Sequence, residues 1–202
     1  MYYPVMPKPS HREKLLNVGM QVVHERGFAG ASVRDIVQAA GVPQGSFTNH
    51  FASKEAFGLE VIALYLAQEG ARMRATLGDA SLAPLARLHA YLAAAGSTRG
   101  DDMRNGCLLG NFTAEANECG EAIRARLVEA FETVRDALAR CLRDAVAAGE
   151  LPRDADCDDL AAFTLASLQG ALLLAKAERS AAPVERFEKV LFDRVLLAQA
   201  SS

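Results

Sequence analysis

The heptapeptide QGSFTNH, residues 44–50, carries five neutral hydrogen-bonding side chains on a platform too short for a stable helix alone and too polar for a core. Gln44, Ser46, Thr48, Asn49 and His50 suit base edges and phosphates in a DNA major groove, and Val42, Phe47 and Phe51 anchor them. Gly45 lets the backbone come close to a phosphate strand. Ser32, with the free N–H groups of the helix that follows it, and Lys54 at the start of another helix can each hold a phosphate. A second chemistry belongs to Cys107 in RNGCLLGN, residues 104–111. It opens a predicted helix, where the dipole and free N–H groups favour thiolate, and Arg104 lies three residues upstream. A thiolate attacks quinones, enals and hypochlorite-type oxidants. The alternative is that Cys107 is a small buried hydrophobe.

The other thiols are weaker candidates. Cys119 in ANECGE and Cys157 in DADCDD sit among acids, which disfavours thiolate, and Cys141 falls near an apolar stripe. None has CxxC spacing or a nearby His pair, so no metal or other cofactor is expected. Lys176 ends an uncharged run. It either snorkels to solvent or stands beside Cys107, where it would stabilise a thiolate or trap the oxidised sulfur. Tyr91, Phe112 and Phe163 are candidates for a pocket wall or for ordinary core, and His89 reads as structural.

These residues need helices to position them. Ser10 caps a first helix that ends at Gly27. Ser32, with Asp35 three residues on, starts a short second helix that stops at Gly41, and Pro43 stands where a third would start. Ser53 caps a fourth, carrying Phe57, Val61, Leu64 and Tyr65 onward to about Leu77. A fifth covers about Leu82–Ala95, and CLLGNFTAEA makes a short sixth. Ile123, Leu127, Phe131, Val134, Leu138, Leu142 and Val146 hold one face of a long seventh. An eighth spans about 156–178, and a ninth follows Pro183.

Composition agrees. Half of the 202 residues are hydrophobic, 23% are charged, 6% are aromatic and Trp is absent. With Ala and Leu abundant and strand formers scattered, the chain reads as all-α with about nine helices. Residues 1–54 hold six Lys/Arg against three acids, and the remainder 16 against 22. A basic head on an acidic body suits a nucleic-acid contact confined to one end. MYYPVMPKPS has no apolar centre flanked by basic residues, so no export signal is expected, and a cytoplasmic location with reduced thiols follows. The uncharged run Ala161–Ala175 is shorter than the roughly 20 residues a membrane span needs, so no membrane contact is expected. No GxSxG, Walker loop, GxGxxG, HExxH or paired-carboxylate motif points to an enzyme.

The run GFAGASVRDIVQAAGVPQGSFTNHFASKEAFGLEVI resembles the TetR family of transcriptional repressors. Gly27, Ser32 to Val33, Asp35 to Ile36, Ala40 to Val42, Gly45 to Phe47, His50 to Phe51 and Ser53 to Lys54 match the family's N-terminal module. The family usually has Tyr at the position of Thr48. The resemblance implies a helix-turn-helix DNA-binding domain at 1–53 and a ligand-sensing and dimerisation domain at 54–202. It places Arg34, Gln44, Thr48, Asn49 and His50 at the groove, with Ser32 and Lys54 on phosphate. It also implies a homodimer joined through the last two helices, reading a palindromic double-stranded operator. RNGCLLGN is similar to the branch that responds to reactive electrophiles or acrylate-like molecules, which makes Cys107 a candidate sensor with Lys176, Tyr91 and Phe112 around it. A reversible inducer with a structural Cys107 stays open beside this. So, from another class, does a helical interaction module or an enzyme without a recognisable motif.

Overall fold

The computed structural model describes residues 10–96, 105–117 and 119–196; Arg104, named above beside Cys107, lies outside them. The described residues form helices and no strand: α1 (His11–Arg26), α2 (Val33–Ala40), α3 (Ser46–His50), α4 (Lys54–Ala75), α5 (Pro84–Gly96), α6 (Leu108–Ala114), α7 (Glu121–Ala147), α8 (Cys157–Glu178) and α9 (Ala182–Val190), the last running into a π turn at Leu191–Leu196. Among the described residues this is the all-α architecture of about nine helices expected from the sequence.

The helix starts follow local chemistry. The Ser10 hydroxyl accepts from Glu13 N while the Glu13 carboxylate accepts from Ser10 N, closing a capping box. Ser32 and Asp35 repeat it on α2. Gly41 ends α2 in the left-handed region at φ 61°, which a side chain resists, and Pro43 cannot extend the helix. α3 therefore starts later than expected, at Ser46 rather than Pro43, after a turn closed by Ser46 N donating to Pro43 O at 2.9 Å.

The apolar interior falls into two clusters. One holds α1, α2 and α3 on the first half of α4, on α6 and on the start of α7, with Ile36, Phe57, Val61, Leu108, Phe112 and Ile123 fully buried. The other joins α5, the rest of α7, α8 and α9 through Leu88, Leu92, Leu138 and Leu142. Each such side chain contributes roughly 1.5–3 kcal/mol of transfer free energy. Packing is continuous across residues 53–54, because α4 serves both clusters.

By length and composition alone, Cys157–Glu178 could cross a membrane. Its Leu160, Ala161, Leu165, Leu168 and Leu172 are buried against α7 and α9. Its other face leaves Leu173 and Leu174 at 66% and 54% exposure, with Phe163 also exposed. Phe163 thus lies on an outer face rather than on a pocket wall.

Candidate functional site

In the head, α3 rests on an aromatic floor. Phe47, Phe51 and Phe57 pack with ring centres 5.1–5.3 Å apart, all almost fully buried. On that floor Gln44, Gly45, Thr48, Asn49 and His50 are exposed together, and Arg34 is exposed on α2. The Thr48 hydroxyl donates to Gly45 O at 3.1 Å, so it faces solvent as an acceptor. Ser46, expected on the outer face, is buried instead, with its hydroxyl 3.3 Å from His11 Nδ1. At the first position of α3, Ser46 turns toward α1, where the His11 ring meets its hydroxyl.

The two expected phosphate clamps are already engaged. The Ser32 hydroxyl accepts from Asp35 N at 3.1 Å and donates to the Asp35 carboxylate at 2.5 Å. Those Ser32 hydrogen bonds, with Arg26 nearby, hold the Asp35 carboxyl below the usual range. Lys54 Nζ donates to Ala29 O at 3.2 Å and stands 4.8 Å above the Phe28 ring centre.

A cavity of about 430 Å3 lies between α1, α4, α5, α6, α7 and α8, with Cys107 on its wall. That size suits a small ligand. Cys107 is the half-buried N-cap of α6, and its sulfur is 3.9 Å from the Tyr65 hydroxyl oxygen. Further in, Tyr91 Oη donates to Glu69 Oε1 at 2.8 Å, and Arg72 pairs with the other Glu69 oxygen. Glu69 is 5% exposed. The Arg72 guanidinium carbon lies 5.8 Å from the Tyr91 ring centre, and its Nε is buried without a hydrogen-bond partner. Burial drives both phenols well above their ordinary pKa, with the Cys107 and Glu69 charges adding at Tyr65 and Glu69 adding at Tyr91. Both keep their protons and act as donors.

Of the expected sensor residues, Cys107 and Tyr91 line this cavity. Phe112 does not: it is fully buried, its ring 5.1 Å from Phe28, and it joins head to body. Lys176 is half-buried against Gly106, the residue before the thiol. Its Nζ donates to Asn111 Oδ1 at 2.9 Å, and its chain packs where a side chain on Gly106 would go. Sequence reasoning missed Tyr65, Glu69 and Arg72 as site residues. The remaining thiols are buried. Burial pushes Cys141 up to about 11, and also raises Cys157. Among the described residues no His/Cys/Asp/Glu group could hold a metal.

The two regions meet at the loop carrying the thiol. His24 Nε2 of α1 lies 2.7 Å from the Gly106 carbonyl oxygen, so that nitrogen carries the proton. Asn111 Nδ2 donates to His24 O at 3.2 Å and to Asn105 O at 2.8 Å. Glu115 accepts from Ala29 N at 2.8 Å. Gly106 holds φ 69°, which lets the loop turn under Lys176.

Comparison with known proteins matches two stretches of the chain. Residues 15–61 match the model of bacterial regulatory proteins, tetR family, and residues 84–191 match the tetracyclin repressor-like C-terminal domain. The chain is 39% identical over 191 residues to the HTH-type transcriptional repressor DhaR of Mycobacterium sp. (strain GP1), covering 95% of each. It superposes on a regulatory protein TetR from Rhodobacter sphaeroides with TM-score 0.86 and 34% identity, over 90% of this chain and 96% of that one. The reduced form of Escherichia coli NemR, itself an HTH-type transcriptional repressor, superposes with TM-score 0.79 and 28% identity, over 90% and 94%.

Proposed function

The chain belongs to the TetR family of DNA-binding transcriptional repressors, and from that membership we propose that it releases its operator when a reactive small molecule modifies Cys107. The observation that carries this reading is the 2.7 Å bond from His24, near the end of the head's first helix, to the carbonyl of Gly106. A covalent group on Cys107 moves its neighbour, and that neighbour is tied to the head.

The reading surface is Gln44, Gly45, Thr48, Asn49 and His50 with Arg34, and the backbone at Ser32 with Lys54 meets phosphate. The exposed Phe163, Leu173 and Leu174 of α8 and Val190 of α9 meet a second copy, giving two heads about 34 Å apart for a palindromic site. An adduct in the cavity displaces the 105–107 loop, breaks the His24 and Asn111 bonds and shifts α1 and α4 together. A few kcal/mol of differential affinity then empties an operator.

The test is a gel-shift titration on DNA upstream of the protein's own gene, with wild type and Cys107→Ser, with and without a quinone. Binding that weakens with salt, and release by quinone in wild type alone, is the expected result. Binding by both proteins with release of neither would make Cys107 structural and the inducer a reversible ligand.

A further inference from the structure

Resting on the Cys107 reading above, we propose that Tyr65 selects and activates the ligand: its hydroxyl holds the carbonyl oxygen of a neutral enal or enone while the Cys107 sulfur adds to the β carbon. The two groups face each other at 3.9 Å on the cavity wall. A conjugated carbonyl presents its electrophilic carbon and its acceptor oxygen a few bonds apart, so one small molecule reaches both. Arg72 lines the same cavity and is a donor only. The Tyr65 hydroxyl, with the thiol 3.9 Å away, has a proton to give to a ligand oxygen. Burial keeps that proton in place.

Charge selects for a neutral ligand. Glu69 and Arg72 are opposite charges that pair with each other, and Gln68 and Gln169 on the same wall are neutral. A carboxylate entering here would face Glu69, and Arg72, already paired with Glu69, leaves it one buried Nε–H to meet.

The step balances. The sulfur's electron pair becomes the S–C bond, the alkene π pair shifts to join the α carbon to the carbonyl carbon, and the carbonyl π pair moves onto oxygen as an enolate held by the Tyr65 hydrogen bond. The thiol proton ends on the α carbon. The sum is addition of S–H across C=C; nothing leaves, and no outside oxidant or reductant takes part.

The test uses the full chain, wild type and Tyr65→Phe, with two reagents: methyl vinyl ketone, and methyl methanethiosulfonate, which caps thiols without a carbonyl to activate. Adducts at Cys107 are followed by peptide mass. Tyr65→Phe should slow the ketone about tenfold and change the thiosulfonate rate by less than about twofold. As a check independent of any variant, the ketone-to-thiosulfonate rate ratio at wild-type Cys107 should exceed that of N-acetylcysteine by about tenfold. If both reagents slow together, if neither slows, or if the ratios match, the Tyr65 role is overturned and the sensor thiol stands. If Cys107 takes up neither reagent, the sensor reading falls and takes this one with it.

Discussion

The head turns its polar groups outward from an aromatic floor, whereas the cavity turns them inward among Leu165, Leu168, Leu172 and Phe131. Both regions are built partly on α4, whose buried face runs Phe57, Val61, then Tyr65, Glu69 and Arg72 without breaking helical period. Water satisfies Gln44, Asn49 and His50 in the free protein, so those positions are free to be chosen for what they bind. Glu69 and Tyr91 have no such solvent and depend on each other and on the half-buried Arg72. Function in the head is therefore separable from stability, and in the cavity the two are entangled.

Substitutions can break that contrast, and the largest effect belongs beneath the reading surface. Phe57→Ala removes a ring that is 0% exposed and touches Phe47 and Phe51. It should cost about 3–5 kcal/mol in urea denaturation. An unchanged midpoint would mean the aromatic floor does not hold α3. Next comes the cavity. Glu69→Ala strips Tyr91 of its acceptor and Arg72 of its counter-ion, and should cost about 2 kcal/mol. The value lies below that of a fully buried pair because the Arg72 side chain is 34% exposed. A loss under about 0.5 kcal/mol would show that these polar groups are solvated after all.

Asn49→Ala on the head should do the opposite. Operator affinity drops by about 1–2 kcal/mol while the urea midpoint stays within about 0.5 kcal/mol of wild type. Equal losses in both would erase the contrast. The smallest effect is alkaline. Cys141 Sγ donates to Pro84 O at 3.2 Å, and burial raises its thiol from 9.0 to about 11. The folded state holds that proton more tightly than the unfolded one. Its contribution is complete below about pH 9 and fades as pH rises through about 11. Cys141→Ala should flatten the fall of the urea midpoint across that window, and an unchanged slope would assign the loss to other groups.

The same contrast explains what could be read from sequence. The head was legible because its determinants are local: two Ser caps with their acids three residues on, Gly41 at a helix end, and a polar heptapeptide between aromatic anchors. Ser46 was misplaced because spacing assigns faces poorly over a single turn. In the body, the apolar stripe of α7 was legible, whereas the cavity's chemistry was only partly so. Tyr65, Glu69 and Arg72 fall at i, i+4 and i+7, and a glutamate on the stripe of α4 was the available signal. Phe112 and Phe163 could not be placed, because an aromatic on an amphipathic helix suits core, pocket and outer face equally. The bonds from Lys176 to Asn111 and from His24 to Gly106 join residues 65 and 82 apart, which no local spacing encodes.

The most direct measurement follows two quantities in one sample after a quinone is added to the DNA complex: the fraction of Cys107 modified, by peptide mass, and the fraction of operator occupied, by fluorescence anisotropy. On this account the two curves mirror each other in time, and the reading head lets go as the thiol is consumed. An operator still occupied when Cys107 is fully modified, or emptied while the thiol is intact, would contradict it.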